Sequence, residues 1–101
     1  MYSIYITPVA ETDVLEAALW YEFQRKGLEQ EFFTSIEASV SLIIRNPLLF
    51  QVIDSKKIRR AVTRKFPYGI FFYLDNTEIV IIAVQHLSGS PNKWKRRSIK
   101  Y

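Results

Sequence analysis

The residues of this chain that could carry chemistry are concentrated in its second half. His86 is the only histidine; it ends an apolar segment and is followed by a Gly-Ser-Pro break and a basic tail. Guanidinium groups bind carboxylates and phosphates bidentately, and an imidazole can exchange a proton near neutral pH. The residues that we expect to contact a partner are these groups and one tryptophan: Arg59, Arg60, Arg64, His86, Trp94, Arg96 and Arg97.

A nuclease is one activity that such residues could support. Cleavage of RNA without a metal needs a base for the 2′-hydroxyl proton, cations that hold the phosphate, and an acid for the leaving oxygen. His86, Arg64 and Arg97 are the residues that would serve these tasks. They form no compact motif in the sequence, so we assign no catalytic residue.

Metal and nucleotide sites are not expected. A structural zinc site needs four ligands, and this chain has one histidine and no cysteine. Its three glycines do not have the spacing of the common phosphate-binding loops. The sequence therefore predicts no metal and no other cofactor.

The charge of the chain is distributed unevenly. Residues 1–50 carry three cations and seven anions, a net charge of −4, whereas residues 51–101 carry eleven cations and three anions, a net charge of +8. This asymmetry predicts that the second half meets an acidic partner, either a nucleic acid or an acidic protein segment. The lack of cysteine fits a reducing cytoplasm, and no apolar run is long enough to predict a membrane span.

The pattern of apolar residues predicts one α+β domain over residues 1–101. Tyr2–Ile6 has the alternation of a strand, and Thr7-Pro8 has the N-cap and first-turn residues of a helix. Gly27 separates this helix from a second, which ends at Asn46-Pro47. Two adjacent amphipathic helices with a short link form a helical hairpin.

The rest of the chain is predicted to be β. Ile58–Phe66 alternates, and two apolar segments flank a polar turn at Asp75–Thr77. The predicted order is β-α-α-β-β-β, an antiparallel sheet with the helical hairpin on one face and the basic residues on the other. We expect Phe66 and Tyr68 to pack on opposite faces. Whether a short helix follows Ser90-Pro91 stays open.

Taken in order, these features resemble the ParE/RelE superfamily of bacterial toxins from type II toxin–antitoxin modules, in its ParE-like plasmid stabilisation branch. The resemblance spans nearly the whole chain. It rests on Tyr2–Ile6, Thr7-Pro8, Asp13, Trp20-Tyr21, the segment GLEQEFF, Asn46-Pro47, Arg59-Arg60, Phe66-Pro67-Tyr68, His86, Pro91, Trp94 and Arg97.

The resemblance implies a compact bacterial toxin, located in the cytoplasm, that an acidic or amphipathic antitoxin wraps and silences. ParE-like toxins are associated with poisoning DNA gyrase, whereas RelE-like toxins cut mRNA on the ribosome. The two groups share a fold, so the fold does not choose between these targets. RNA-cutting relatives usually place a basic residue where this chain has Pro67-Tyr68-Gly69, which favours gyrase, although the terminal Tyr101 is similar to the terminal aromatic of some nuclease members.

One departure from the family pattern concerns the loop after His86. ParE-like relatives commonly carry an arginine three residues after this histidine, where this chain has Gly89. If that arginine contributes to toxicity, the chain is a detoxified member that retains only antitoxin binding. This is a third interpretation beside the gyrase inhibitor and the endoribonuclease.

Overall fold

The computed structural model describes residues 1–100, with side chains for residues 1–98. It confirms the α+β class and the helical hairpin, and it shows a short C-terminal helix, which the sequence left open; Tyr101 lies outside the described residues. No helix within the described part of the chain is long and apolar enough to cross a membrane. The elements are β1 (Ser3–Ile6), α1 (Pro8–Gln24), α2 (Leu28–Arg45), a 3-10 turn (Pro47–Leu49), β2 (Gln51–Val52), β3 (Arg59–Val62), β4 (Tyr68–Asp75), β5 (Glu78–His86) and α3 (Asn92–Lys100).

The sheet has five strands in the order β1-β5-β4-β3-β2. β2, a two-residue strand, adds one strand to the predicted order. Strands β2 to β5 are antiparallel as expected, but β1 runs parallel to β5, from Ser3 opposite Glu78 to Ile6 opposite Ile81. The sheet is therefore mixed. The two helices and three strands separate β1 from β5 in the chain, so no hairpin turn sets their relative direction.

Both helices of the hairpin start at a side-chain cap. Thr7 Oγ1 accepts a hydrogen bond from the Ala10 amide (3.3 Å) and donates one to the Ile81 carbonyl (2.9 Å), which ties the start of α1 to β5. Gly27, with φ +94°, lies just before α2 and has no side chain to cap it. The Glu22 carboxylate instead accepts from the amides of Gly27 and Glu29, each at 3.0 Å.

Two apolar cores lie on the two faces of the sheet. The larger core, between the hairpin and the sheet, contains Phe32 and Phe72. The smaller core lies under α3, where Trp94 stacks on Phe71 with ring centroids 5.3 Å apart. The face predicted to carry the basic residues is thus partly covered by α3.

The segment after β3 forms a turn rather than a longer strand. β3 ends at Val62, and Lys65 adopts φ +75°. Phe66 and Tyr68 are two residues apart, and residues with this spacing point to the same side of an extended chain. Their ring centroids lie 5.3 and 5.0 Å from that of Phe32. The prediction that they pack on opposite faces is wrong.

Candidate functional site

A β-bulge in β5 creates the first notable feature of the site. Phe71 pairs with Ala83 and Phe72 with Ile81, so Ile82 has no opposite residue in β4. β1 pairs with β5 only as far as Ile81 and leaves the later part of β5 with an open edge on that side. Backbone groups at a bulge and an open edge need partners from elsewhere.

Asp13 and Arg97 supply those partners. Asp13 is buried in α1 with 4% of its side chain exposed, and its Oδ2 accepts from the Val84 amide at 3.0 Å. Arg97 of α3 donates to both carboxylate oxygens, at 2.6 and 3.2 Å, and to the Ile82 carbonyl at 2.9 Å. The pair joins α1, β5 and α3, so Arg97 has a structural role in this structure.

A cleft of about 360 Å³ lies beside this ion pair. Within the described residues, the buried Oε1 of Gln85 has no hydrogen-bond partner, whereas its Nε2 donates to the Ser90 carbonyl. Lys93 approaches Asp13 at 3.4 Å. The lining residues are Asp13, Glu16, Ala17, Tyr68, Val84, Gln85, His86, Gly89 and Lys93.

His86 lies exposed at the mouth of this cleft. Its Nδ1 accepts from the Ser88 amide at 3.1 Å and lies 2.8 Å from Ser88 Oγ. An Nδ1 that accepts from an amide places the proton of the neutral imidazole on Nε2. The free lone pair that a general base needs is therefore already engaged.

Tyr68 packs edge-to-face against His86, with ring centroids 5.3 Å apart. Burial raises the pKa of the Tyr68 phenol above its ordinary value of 10.0, and the nearby Tyr21 adds a smaller increase. Tyr68 is consequently a neutral hydrogen-bonding group at physiological pH.

The arginines of β3 lie in a different part of the molecule. Arg59 donates to the Phe50 carbonyl at 2.7 Å and so holds the segment before β2 against β3. Arg60 is half-buried beside Gly69. Arg64 is exposed on the turn after β3, and its carbonyl accepts from Ser35 Oγ of α2 at 2.6 Å.

A groove of about 630 Å³ runs between α2 and β3. Its apolar walls include Leu42 and Val62, which are 49% and 54% exposed. Arg64 and Lys65 lie at its rim, where Lys65 forms an ion pair with Glu31. We call this feature the α2 groove.

The structure thus separates the predicted residues into two groups. One is in β3 and the turn that follows, and the other is at the end of β5 and in α3. Three of them hold the fold together: Arg59, Trp94 and Arg97. Three others are exposed: Arg64, His86 and Arg96.

Sequence reasoning missed four polar residues of the cleft: Asp13, Glu16, Gln85 and Lys93. Asp13 had a usable signal, since it lies four residues before Ala17 on the buried stripe of α1. A carboxylate on a buried stripe is rare unless it is paired. Groups of three or more metal-binding side chains are absent from the described part of the chain.

Comparison with known proteins assigns the family. The profile of the ParE toxin of the type II toxin–antitoxin system parDE matches residues 4–90. A search of curated proteins gives no match. Among solved structures, a chain of the chromosomal ParDE toxin–antitoxin system from P. aeruginosa superposes with a TM-score of 0.79 at 15% identity, covering 87% of this chain and 98% of that chain. That likeness supports the fold, and the profile match spans most of the sequence. The chain therefore belongs to the ParE family of type II toxins.

Proposed function

We propose that this ParE-family toxin inhibits DNA gyrase by binding, and that an antitoxin neutralises it by occupying the α2 groove. The observation that carries the first part is that the three residues a nuclease would use are not assembled. Arg97 is paired with Asp13, and the Nδ1 of His86 is engaged by Ser88. Arg64 borders the α2 groove, whereas His86 borders the cleft beside α1.

The exposed cations favour binding to an anionic surface. Arg64 and Arg96 are exposed, and the second half of the chain has the +8 charge noted above. A gyrase that holds cleaved DNA presents phosphates and acidic side chains, and both attract guanidinium groups. Arg64, Arg96 and His86 are therefore the residues that we propose for target contact.

The α2 groove supports the antitoxin part of the proposal. Its walls are apolar at Leu42 and Val62, and Arg64 provides positive charge at its rim, where Lys65 is paired with Glu31. An amphipathic segment with apolar side chains on one face and carboxylates on the other matches both properties. β2 pairs only with Arg59 and Arg60 of β3. Within the described residues, no strand therefore pairs with the outer edge of Ala61 and Val62.

The test of target binding mixes purified, antitoxin-free toxin with gyrase, ATP and relaxed plasmid. We expect loss of supercoiling and accumulation of linear, cleaved DNA. The double variant Arg64→Glu/Arg96→Glu should lose most of this effect, whereas Arg45→Glu, an exposed arginine at the end of α2, should retain it. A folded protein that leaves gyrase active overturns the gyrase proposal, and mRNA cleavage on ribosomes is then the activity to measure.

The test of antitoxin binding uses Leu42→Glu, which places a carboxylate on the apolar wall of the α2 groove. Titration calorimetry with the cognate antitoxin should give an affinity at least about tenfold weaker than that of the unmodified chain. Leu48→Glu, at a similarly exposed leucine (59%) outside the groove lining, is the matched control. Equal affinities for the two variants would place the antitoxin elsewhere.

A further inference from the structure

The solvent-facing side of α1 carries an exposed apolar surface that neither proposed activity uses. The buried side of the same helix is built from small residues and Asp13. α1 is therefore apolar on its outer side as well as its inner side, and contiguous exposed apolar surface is typical of interaction sites. The residues of this outer face are Leu15, Leu19, Trp20 and Phe23, which are 55%, 55%, 57% and 79% exposed.

The spacing of the outer face suits contact with another helix. Leu15, Leu19 and Phe23 follow one another at four-residue intervals, so their side chains form one ridge about 12 Å long. Trp20 widens the ridge on one side. A narrow ridge of large apolar side chains packs well against a similar ridge on a second helix.

Charges of opposite sign lie at the start of α1 and just beyond its end. Glu11 and Glu16 are exposed near its beginning, and Glu37 of α2 lines the same groove as Glu11 and Leu15. Lys26 is exposed just after its end. Glu22 lies near the same end of α1, but its carboxylate is turned towards the start of α2, where it accepts a hydrogen bond from the Gly27 amide. The start of α1 is thus acidic, and the segment that follows its end carries a lysine.

We propose that the outer face of α1 binds the same face of a second copy of this chain, with the two helices antiparallel. Centred on Leu19, this arrangement places Leu19 against Leu19 of the second copy and Leu15 against Phe23. Lys26 then lies opposite Thr12, next to Glu11, so the acidic start of each helix lies near the lysine that follows the end of the other, and the two helix dipoles are antiparallel. Because an acidic antitoxin segment would meet Glu11, Glu16 and Glu37, the second copy suits this face better.

The first test uses the lack of cysteine in the chain. Leu19→Cys places one thiol at the centre of the proposed pair, where mild oxidation should link two copies through a disulfide. Leu42→Cys puts a thiol at a similarly exposed leucine (49%) of α2, outside the proposed contact, and is the matched control. Leu19→Cys should give a cross-linked dimer on a non-reducing gel at least about tenfold faster than the control. Equal rates would overturn the proposal.

The second test measures how charge substitutions near the two ends of α1 change the dissociation constant of the dimer. Sedimentation equilibrium should give a concentration-dependent dimer for the unmodified chain, and Leu19→Glu should raise its dissociation constant at least about tenfold. Glu11→Lys and Lys26→Glu should each weaken the dimer by about three- to tenfold, because each pair occurs twice. The combined variant should restore it. A chain that stays monomeric at all concentrations, or a double variant weaker than either single one, contradicts the antiparallel arrangement.

Discussion

Replacing Arg97 by alanine should destabilise the protein far more than replacing its neighbour Arg96. Arg97 forms three hydrogen bonds, two to the buried carboxylate of Asp13 and one to the Ile82 carbonyl at the bulge of β5. Its removal leaves a carboxylate that is 4% exposed without its main counter-charge. The bulge carbonyl also loses its donor.

The magnitude follows from what remains around Asp13. Removing one partner of a buried ion pair typically costs about 3–5 kcal/mol. Here Asp13 keeps the Val84 amide at 3.0 Å and Lys93 at 3.4 Å, which reduces the loss. We therefore expect the free energy of unfolding to fall by about 2–4 kcal/mol for Arg97→Ala, against less than about 0.5 kcal/mol for the exposed Arg96→Ala.

Urea denaturation followed by tryptophan fluorescence measures this difference. Trp94 stacks on Phe71 under α3 and so reports the docking of that helix; a Trp20→Phe background removes the second tryptophan. Combining Arg97→Ala with Asp13→Ala completes a double-mutant cycle, in which we expect a coupling of about 1–3 kcal/mol. Equal unfolding free energies for the Arg97 and Arg96 variants, or no coupling in the cycle, would show that the Asp13–Arg97 pair does not stabilise the fold.

Three further predictions concern the hairpin, Tyr68 and the loop after His86. Glu22→Ala should lower the free energy of unfolding by about 1 kcal/mol in urea because the start of α2 loses its cap, whereas the exposed Glu37→Ala should be nearly neutral. Burial raises the folded-state pKa of Tyr68 above 10.0, so its contribution to stability is complete below pH 10 and is lost as the pH rises further; melting temperatures between pH 9 and 11.5 should fall less for Tyr68→Phe. Gly89→Arg should fold, since Gly89 has no positive φ and its new Cβ would displace mainly the Gln85 side chain, 2.5 Å away. If the missing arginine limits toxicity, cells that express this variant should grow more slowly, and unchanged growth would count against the detoxified interpretation.

Several parts of the fold could be predicted because their signals are local. Thr7 and Pro8 marked the start of α1, and the polar turn at Asp75–Thr77 marked the β4–β5 hairpin. Both depend on residues next to each other in the chain, where capping and turn preferences act directly. The family resemblance, drawn from ordered short motifs, is likewise confirmed by the profile match over residues 4–90.

The parts that could not be predicted depend on contacts between distant residues. The parallel pairing of β1 with β5 joins Ser3 to Glu78, and no nearby residue specifies the direction of that pairing. Lys65 adopts φ +75°, a conformation that lysine seldom takes, and this turn ends the alternation predicted for Ile58–Phe66.

The same distinction between local signals and contacts of distant residues applies to the candidate site. The helical hairpin, the class of the fold, the charge asymmetry and the family could be predicted, because composition, periodicity and adjacent motifs specify them. The packing of distant elements, in contrast, pairs Arg97 with Asp13, 84 positions away, and leaves Arg64 and Arg96 exposed. An arginine has the same charge in either setting, and whether it binds a partner or a buried carboxylate depends on which groups the fold brings within hydrogen-bonding distance.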